Sequence, residues 1–206
     1  MILELLIIVI GVFIALASES WWSERQDRVL ESNLRSDMAA EFAANIKILE
    51  SDIQQNEGSM AHFAQLPNLS HSALLDLTDE ELNRNYRPFP NWNGFDPEMG
   101  IAQALVGSGN LSSIKDRHLR LLLSRWAGLL AEKDRKTLQA AQFTIGSLMP
   151  AIAEVSADSH WTDAERRRIQ SLYATFVILT DLVLANQHRL IEEAQSAHAY
   201  LAGETR

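Results

Sequence analysis

The chain of 206 residues has no cysteine, which excludes disulfide staples, thiolate catalysis and cysteine-ligated zinc. Glycine and proline number only nine and five, and the prolines gather mainly in one central stretch. That scarcity disfavours a sheet with many turns and favours long helices. Cations are in deficit as well: 18 Lys and Arg against 27 Asp and Glu leave a net charge of −9. A nucleic-acid partner, which needs clustered Lys and Arg for phosphate, is thereby excluded. The only basic triplet, Arg166-Arg167-Arg168, follows Asp163 and Glu165 and reads as a solvated first helical turn. Apolar residues still make up 47% of the chain, enough for a core and too many for disorder. The length suits one domain plus an anchor.

What is present begins at the N-terminus. Residues 2–17 are apolar except for Glu4. A helix through this run reaches roughly 25 Å at about 1.5 Å per residue, a little short of a bilayer core of about 30 Å. Ser18 and the pair Trp21-Trp22 extend it, and tandem tryptophans there fit an interfacial belt. Ala15-Leu16-Ala17 has the form of a signal-peptidase site, but no basic segment precedes the apolar run, so the expectation is a retained anchor over residues 1–22. Glu4, Gly11, Ala15, Ser18 and Trp22 fall within about 60° of one another on a helix. Gly11-x-x-x-Ala15 is a spacing that lets two helix backbones approach closely, and Glu4 on the same face would gain from a donor on the partner. The alternative is that Glu4 simply reaches the headgroups.

Residues 23–206 read as a bundle of long amphipathic helices continuous with the anchor, giving an all-α fold. Leu30, Leu34, Met38, Phe42, Ile46, Leu49 and Ile53 recur at three- and four-residue steps with no breaker before about residue 55. Asn45 lies among them and reads as a boundary residue, with a buried polar specifier as the alternative. Thr78-x-x-Glu81 and Thr162-x-x-Glu165 are capping boxes. The stretch 83–100, with three prolines, reads as an ordered loop whose aromatics Tyr86, Phe89, Trp92 and Phe95 fold onto the bundle end; a binding lid is the sharper alternative. A helix is expected over 97–106 with Pro97 at its start, then a helix–helix turn at Gly107-Ser108-Gly109-Asn110-Leu111. A third helical pattern spans 116–155, bent at Pro150, with Leu119, Leu122, Leu123, Trp126, Leu129, Leu130, Leu138 and Leu148 on one stripe. The last helix runs from the second capping box to about Leu201, with Ile169, Leu172, Phe176, Leu179, Val183, Leu190, Ala194 and Leu201 expected to face inward. Its middle, residues 176–185, is apolar nearly all round and suggests contact on two sides, with Phe176, Ile178 and Leu182 as a partner surface. That run is too short and interrupted to span a membrane.

No constellation of catalytic residues stands out. The six histidines form neither H-E-x-x-H nor E-x-x-H, and no G-x-S-x-G elbow occurs. Asp181, His188 and Glu192 share one side of the last helix, but Asp181 lies about 10 Å from His188 along its axis, too far for one ion. Neither an enzyme, a metal nor a cofactor is expected.

The anchor Glu4-Leu5-Leu6-Ile7-Ile8-Val9-Ile10-Gly11-Val12-Phe13-Ile14-Ala15-Leu16, followed by Trp22 and Glu24-Arg25, resembles that of an uncharacterised bacterial family. Glu41-Phe42 with Asn45 and Leu49, and Leu105 with Ser108-Gly109-x-Leu111, Ile114 and Leu119-Arg120, resemble it too. The resemblance implies a small membrane-anchored helical protein without assigned activity, in the bacterial inner membrane, its domain on the periplasmic side. The chain's own cations point the other way, since Arg25, Arg28 and Arg35 follow the span. The expected role is a scaffold or accessory subunit that contacts lipid and associates with itself or with a membrane protein complex. A ligand-sensing helical domain acting through a partner is the alternative.

Overall fold

The computed structural model describes residues 2–88, 90, 92–98, 100–107, 114, 116–155 and 160–203, without the side chains of residues 2–17, 20, 27, 28, 30, 103, 105 and 106. Among the described residues the fold is all-α. Its elements are α1 (Ile2–Phe63), α2 (His71–Asp76), α3 (Asp79–Tyr86), α4 (Ile101–Gly107), α5 (Arg117–Phe143), α6 (Met149–Glu154) and α7 (Asp163–Leu201).

The first 62-residue helix, α1, is uninterrupted and about 93 Å long at 1.5 Å per residue. It runs through Gly58, past the residue where the pattern weakens. Every side chain described between residues 18 and 33 is exposed, so this part of α1 stands clear of the bundle. Packing starts at Leu34 and Met38. From there α1, α5 and α7 form a three-helix bundle in which α7 packs on both others. Arg35 meets Asp116 at one end and Gln170 meets the turn after α1 at the other, so α7 is antiparallel to both its neighbours.

The core has two parts. Near the stalk, Met38, Phe42 and Leu49 of α1 meet Trp126 of α5 and Leu190 and Ala194 of α7, with Phe42 edge-on to Trp126 at 5.2 Å. Farther out, Phe63 stacks on Tyr173 at 5.1 Å and meets Phe176 edge-on. The short helices α2 and α3 close that end with Leu74, Leu82 and Tyr86. Both expected capping boxes form, at Thr78/Glu81 and Thr162/Glu165, and they open α3 and α7.

The bend expected at Pro150 takes the form of a π-helical turn, Thr144–Leu148, between α5 and α6. Pro150 has no N–H to give the carbonyl four residues earlier, and a widened turn there accommodates its ring. Leu138 departs from its expected place. It is exposed on the outer side of α5, while Leu119, Leu122, Leu123, Trp126, Leu130 and Leu148 are buried.

One helix among the described residues is long and apolar enough to cross a membrane, and it is α7, with a mean hydropathy of 1.4 in its most apolar window. That corrects the reading of this segment as too short. Its inner side is buried in the bundle, through Ile169, Tyr173, Phe176, Val183, Leu184, Leu190 and Ala194 along with Thr180, Asn186 and Gln187, while Ile178 and Leu182 stay exposed. Buried amides of this kind mark the central helix of a bundle.

Candidate functional site

Five carboxylates carry depressed pKa values, Asp79, Glu81, Asp116, Glu132 and Glu165, and two of them, Asp79 and Asp116, tie several segments together. Asp79 opens α3. Its Oδ1 accepts from Arg166 Nη2 at 2.7 Å and from the Trp161 N–H at 3.2 Å, and its Oδ2 lies 2.6 Å from His160 Nδ1. Burial pushes this carboxyl up, but the bonds from His160 and Trp161 and the charges of His160 and Arg166 together hold it below the usual range. Arg166 is nearly fully buried, which corrects its reading as a solvated residue; Arg167 and Arg168 are exposed. Its guanidinium also donates to the carbonyls of Trp161, Leu74 and Leu77. It thus ties α7 to α2, α3 and the loop before α7.

Asp116 forms the matching knot near the stalk. Its Oδ1 caps α5 through the N–H groups of His118 and Leu119. Its Oδ2 accepts from Arg35 Nη2 at 2.6 Å and from the Tyr200 hydroxyl. Burial raises this pKa, and the donors from Tyr200, the two N–H groups and Arg35 outweigh it and lower it. Both knots join helices.

No group of three or more His, Asp and Glu able to hold a metal occurs among the described residues. His188 faces Glu57 of α1, with Nε2 3.3 Å from Oε1, rather than gathering Asp181 and Glu192.

The central loop is a strap. Asn45 and Asn56 each clasp one residue's backbone in both directions: Asn45 donates to the Glu98 carbonyl at 3.0 Å and accepts from its N–H at 2.8 Å. Asn56 treats Asn93 likewise, at 2.8 and 2.7 Å. Between them the buried Asp52 accepts from Asn93 Nδ2 at 3.0 Å; burial raises its pKa against that hydrogen bond. Glu41 Oε2 caps α4 through the Ile101 and Ala102 N–H groups. Glu41, Asn45, Asp52 and Asn56 fall within about 60° of one another on α1, so one polar stripe zips the loop along the helix.

Asn45 is therefore buried and bonded rather than a boundary residue. The helix expected over 97–106 starts instead at Ile101, because its cap comes from another helix and Pro97 belongs to the strap. Tyr86 and Phe95 are core residues, Trp92 is half-buried, and Phe89 lies outside the described residues. This loop fills the bundle. Gly94 shows how closely: a Cβ there would sit 2.6 Å from Thr137 Cγ2 on α5. Gly94→Ala is expected to lower stability by about 1–2 kcal/mol in urea unfolding, and Thr137→Ala in the same chain should restore most of it. An unchanged midpoint for Gly94→Ala alone would contradict this packing.

The surface holds the remaining candidates. Trp21 and Trp22 are 56% and 58% exposed on the stalk, where Arg25 lies over the Trp21 ring at 5.7 Å. Ser18, also exposed, is the described member of the expected anchor face; the side chains of Glu4, Gly11 and Ala15 lie outside the described set. The turn expected at 107–111 lies beyond Gly107 outside it too. Of the three residues expected as a partner surface, Phe176 is only 1% exposed and belongs to the core against Phe63 and Tyr173. Ile178 and Leu182 are 61% and 41% exposed. They line a groove between α1 and α7 with Met60, Ala61 and Ala64, rimmed by Glu57 and Asp181. The all-round apolar pattern of residues 176–185 thus covers an inner side filled by bundle partners and an outer side left open.

In comparisons with known proteins, no family model, no curated protein and no solved structure matches this chain.

Proposed function

We propose that this protein is a membrane-tethered helical scaffold or accessory subunit: residues 1–22 anchor it in the bacterial inner membrane, and α1 carries the bundle on the periplasmic side. The observation that carries this reading is the continuity of α1 from an apolar run, through two exposed tryptophans, into a bundle that starts only at Leu34. A solvated helix of that length has no packing of its own to stabilise it. A bilayer around its first turns supplies that packing, and the tryptophans then sit at headgroup level. The resemblance of the anchor to the uncharacterised bacterial family supports the same reading and the periplasmic side. The packing of α7 on both α1 and α5 supports the N-terminal run as the segment for the membrane. The scaffold role, rather than catalysis or ligand sensing, rests on the way the carboxylate knots and the central loop are spent on internal bonds.

Placing Arg at both Ile10 and Phe13 costs roughly 5–7 kcal/mol of insertion and is expected to move the chain from the carbonate-resistant membrane pellet to the soluble fraction. Wild-type protein in the soluble fraction would refute the tether. Protease added to spheroplasts should digest the bundle, and protection of the bundle would place it on the cytoplasmic side. Gly11→Leu with Ala15→Leu should weaken association through the anchor face; unchanged size and composition in mild detergent would count against that face.

A further inference from the structure

The outer seam of α7 runs Thr175, Ile178, Leu182 and Ala185, at steps of three, four and three residues, the spacing by which a helix receives a neighbour. Across from it stand the small residues Ala61 of α1 and Ala64 of the turn that follows it. The groove between them measures about 320 Å³. Apolar knobs on one wall and small residues on the other are what a third helix needs for close approach. The rim is acidic, with Glu57 on one side and Asp181 on the other. His188 Nε2 lies 3.3 Å from Glu57 Oε1 on that rim.

We propose that this groove docks an amphipathic helix of a different membrane protein, one whose apolar stripe is flanked by Lys or Arg. The proposal rests on the accessory-subunit reading and names the partner's chemistry. Charge decides against a second copy of this chain: twofold pairing of groove with groove would bring Glu57 and Asp181 of both copies into one seam, in a chain already at −9, and like charges at a contact are costly. Basic flanks on a foreign helix meet the same carboxylates favourably. The height of the groove narrows the partner further. Glu57 lies about 50 Å along α1 from Trp22 at 1.5 Å per residue, so the docking helix belongs to the partner's extramembrane part.

The test is a photo-reactive phenylalanine analogue placed at Leu182 of the full chain in its native membrane, with Gln139 on the outer face of α5 as control. The expected result is an adduct several-fold stronger at Leu182, whose cross-linked peptide maps to an amphipathic helix with Lys or Arg beside its apolar stripe. Glu57→Lys with Asp181→Lys should cut that adduct by about fivefold or more, the scale of losing two rim charge pairs. Adducts to a second copy, adducts to lipid alone, equal yield at Gln139, or a yield indifferent to the charge reversal would each overturn the proposal. Fractionation of the same cells reads the tether separately: a chain in the soluble fraction overturns the membrane reading whatever the adduct shows.

Discussion

Arg166→Met is expected to cost about 3 kcal/mol, the scale of leaving buried carbonyls without a charged donor. Methionine fills most of the volume but donates nothing. The substitution leaves three carbonyls, of Leu74, Leu77 and Trp161, and the Asp79 carboxylate without the guanidinium that joins them. Arg166→Lys should recover only part of the loss, because one ammonium cannot reach the groups that a planar five-donor fork spans. Urea unfolding of the full chain in mild detergent, followed by far-UV circular dichroism, measures both. A loss below about 1 kcal/mol for Arg166→Met would mean that the knot is not a structural element. The pH dependence has a definite sign. The Asp79 pKa is lowered on folding, so its contribution is complete above the ordinary aspartate value of about 3.9 and is lost as pH falls through the depressed folded value. The gap between wild type and Arg166→Met should therefore be widest at neutral pH and narrow in acid.

Asn56→Ala is expected to cost about 3 kcal/mol, and Asn45→Ala about 2 kcal/mol, on the scale of leaving buried polar groups unpaired. Asn56 Oδ1 accepts from the Asn93 N–H, and its Nδ2 donates to the Asn93 carbonyl and to Gln187 Oε1. Gln187 keeps its bond to that carbonyl at 3.2 Å, so the orphaned groups are the Asn93 N–H and the Gln187 oxygen. Asn45 holds the Glu98 backbone in the same manner. Because both residues clasp one strap, their effects should be non-additive: the double variant should lose less than the sum of the two losses. Hydrogen exchange at the Asn93 and Glu98 amides gives a local readout. Each should exchange faster in the variant that removes its clasp, and unchanged protection would show that the strap is held by its aromatic residues instead.

The helices themselves were legible because their signals are local. Apolar spacing at three and four residues, two Thr-x-x-Glu boxes and one proline suffice to place α3, α5 and α7 and the bend before Pro150. The strap was not legible, although its signal was present. Glu41, Asn45, Asp52 and Asn56 repeat at helical spacing among apolar neighbours, and a polar stripe inside an apolar face asks for a partner. What the sequence cannot state is that the partner is the backbone of a loop some forty to sixty residues away. The α4 boundary failed for the same reason, since its cap is a glutamate from α1. Arg166 was misplaced because its triplet looks like every exposed basic turn; only the convergence of α2, α3 and α7 supplies enough carbonyls to bury it. Periodicity put Phe176 on the inward stripe, where it lies; the apolar neighbours on every side are what also made it look like part of an outer surface.

Sequence alone thus settled the all-α class, the extent of α7 and the caps that open α3 and α7, while α1 runs on to Phe63, past the end its pattern suggested. These follow from hydrogen bonds and propensities acting over a few residues. Tertiary structure decided the rest: that Asn45 and Asn56 are buried, that Arg166 and Asp79 form a knot, that the central loop is core, and that the α1/α7 groove stays open. Each of these depends on which distant groups arrive at a side chain, and burial of a polar group is stable only once those partners are in place.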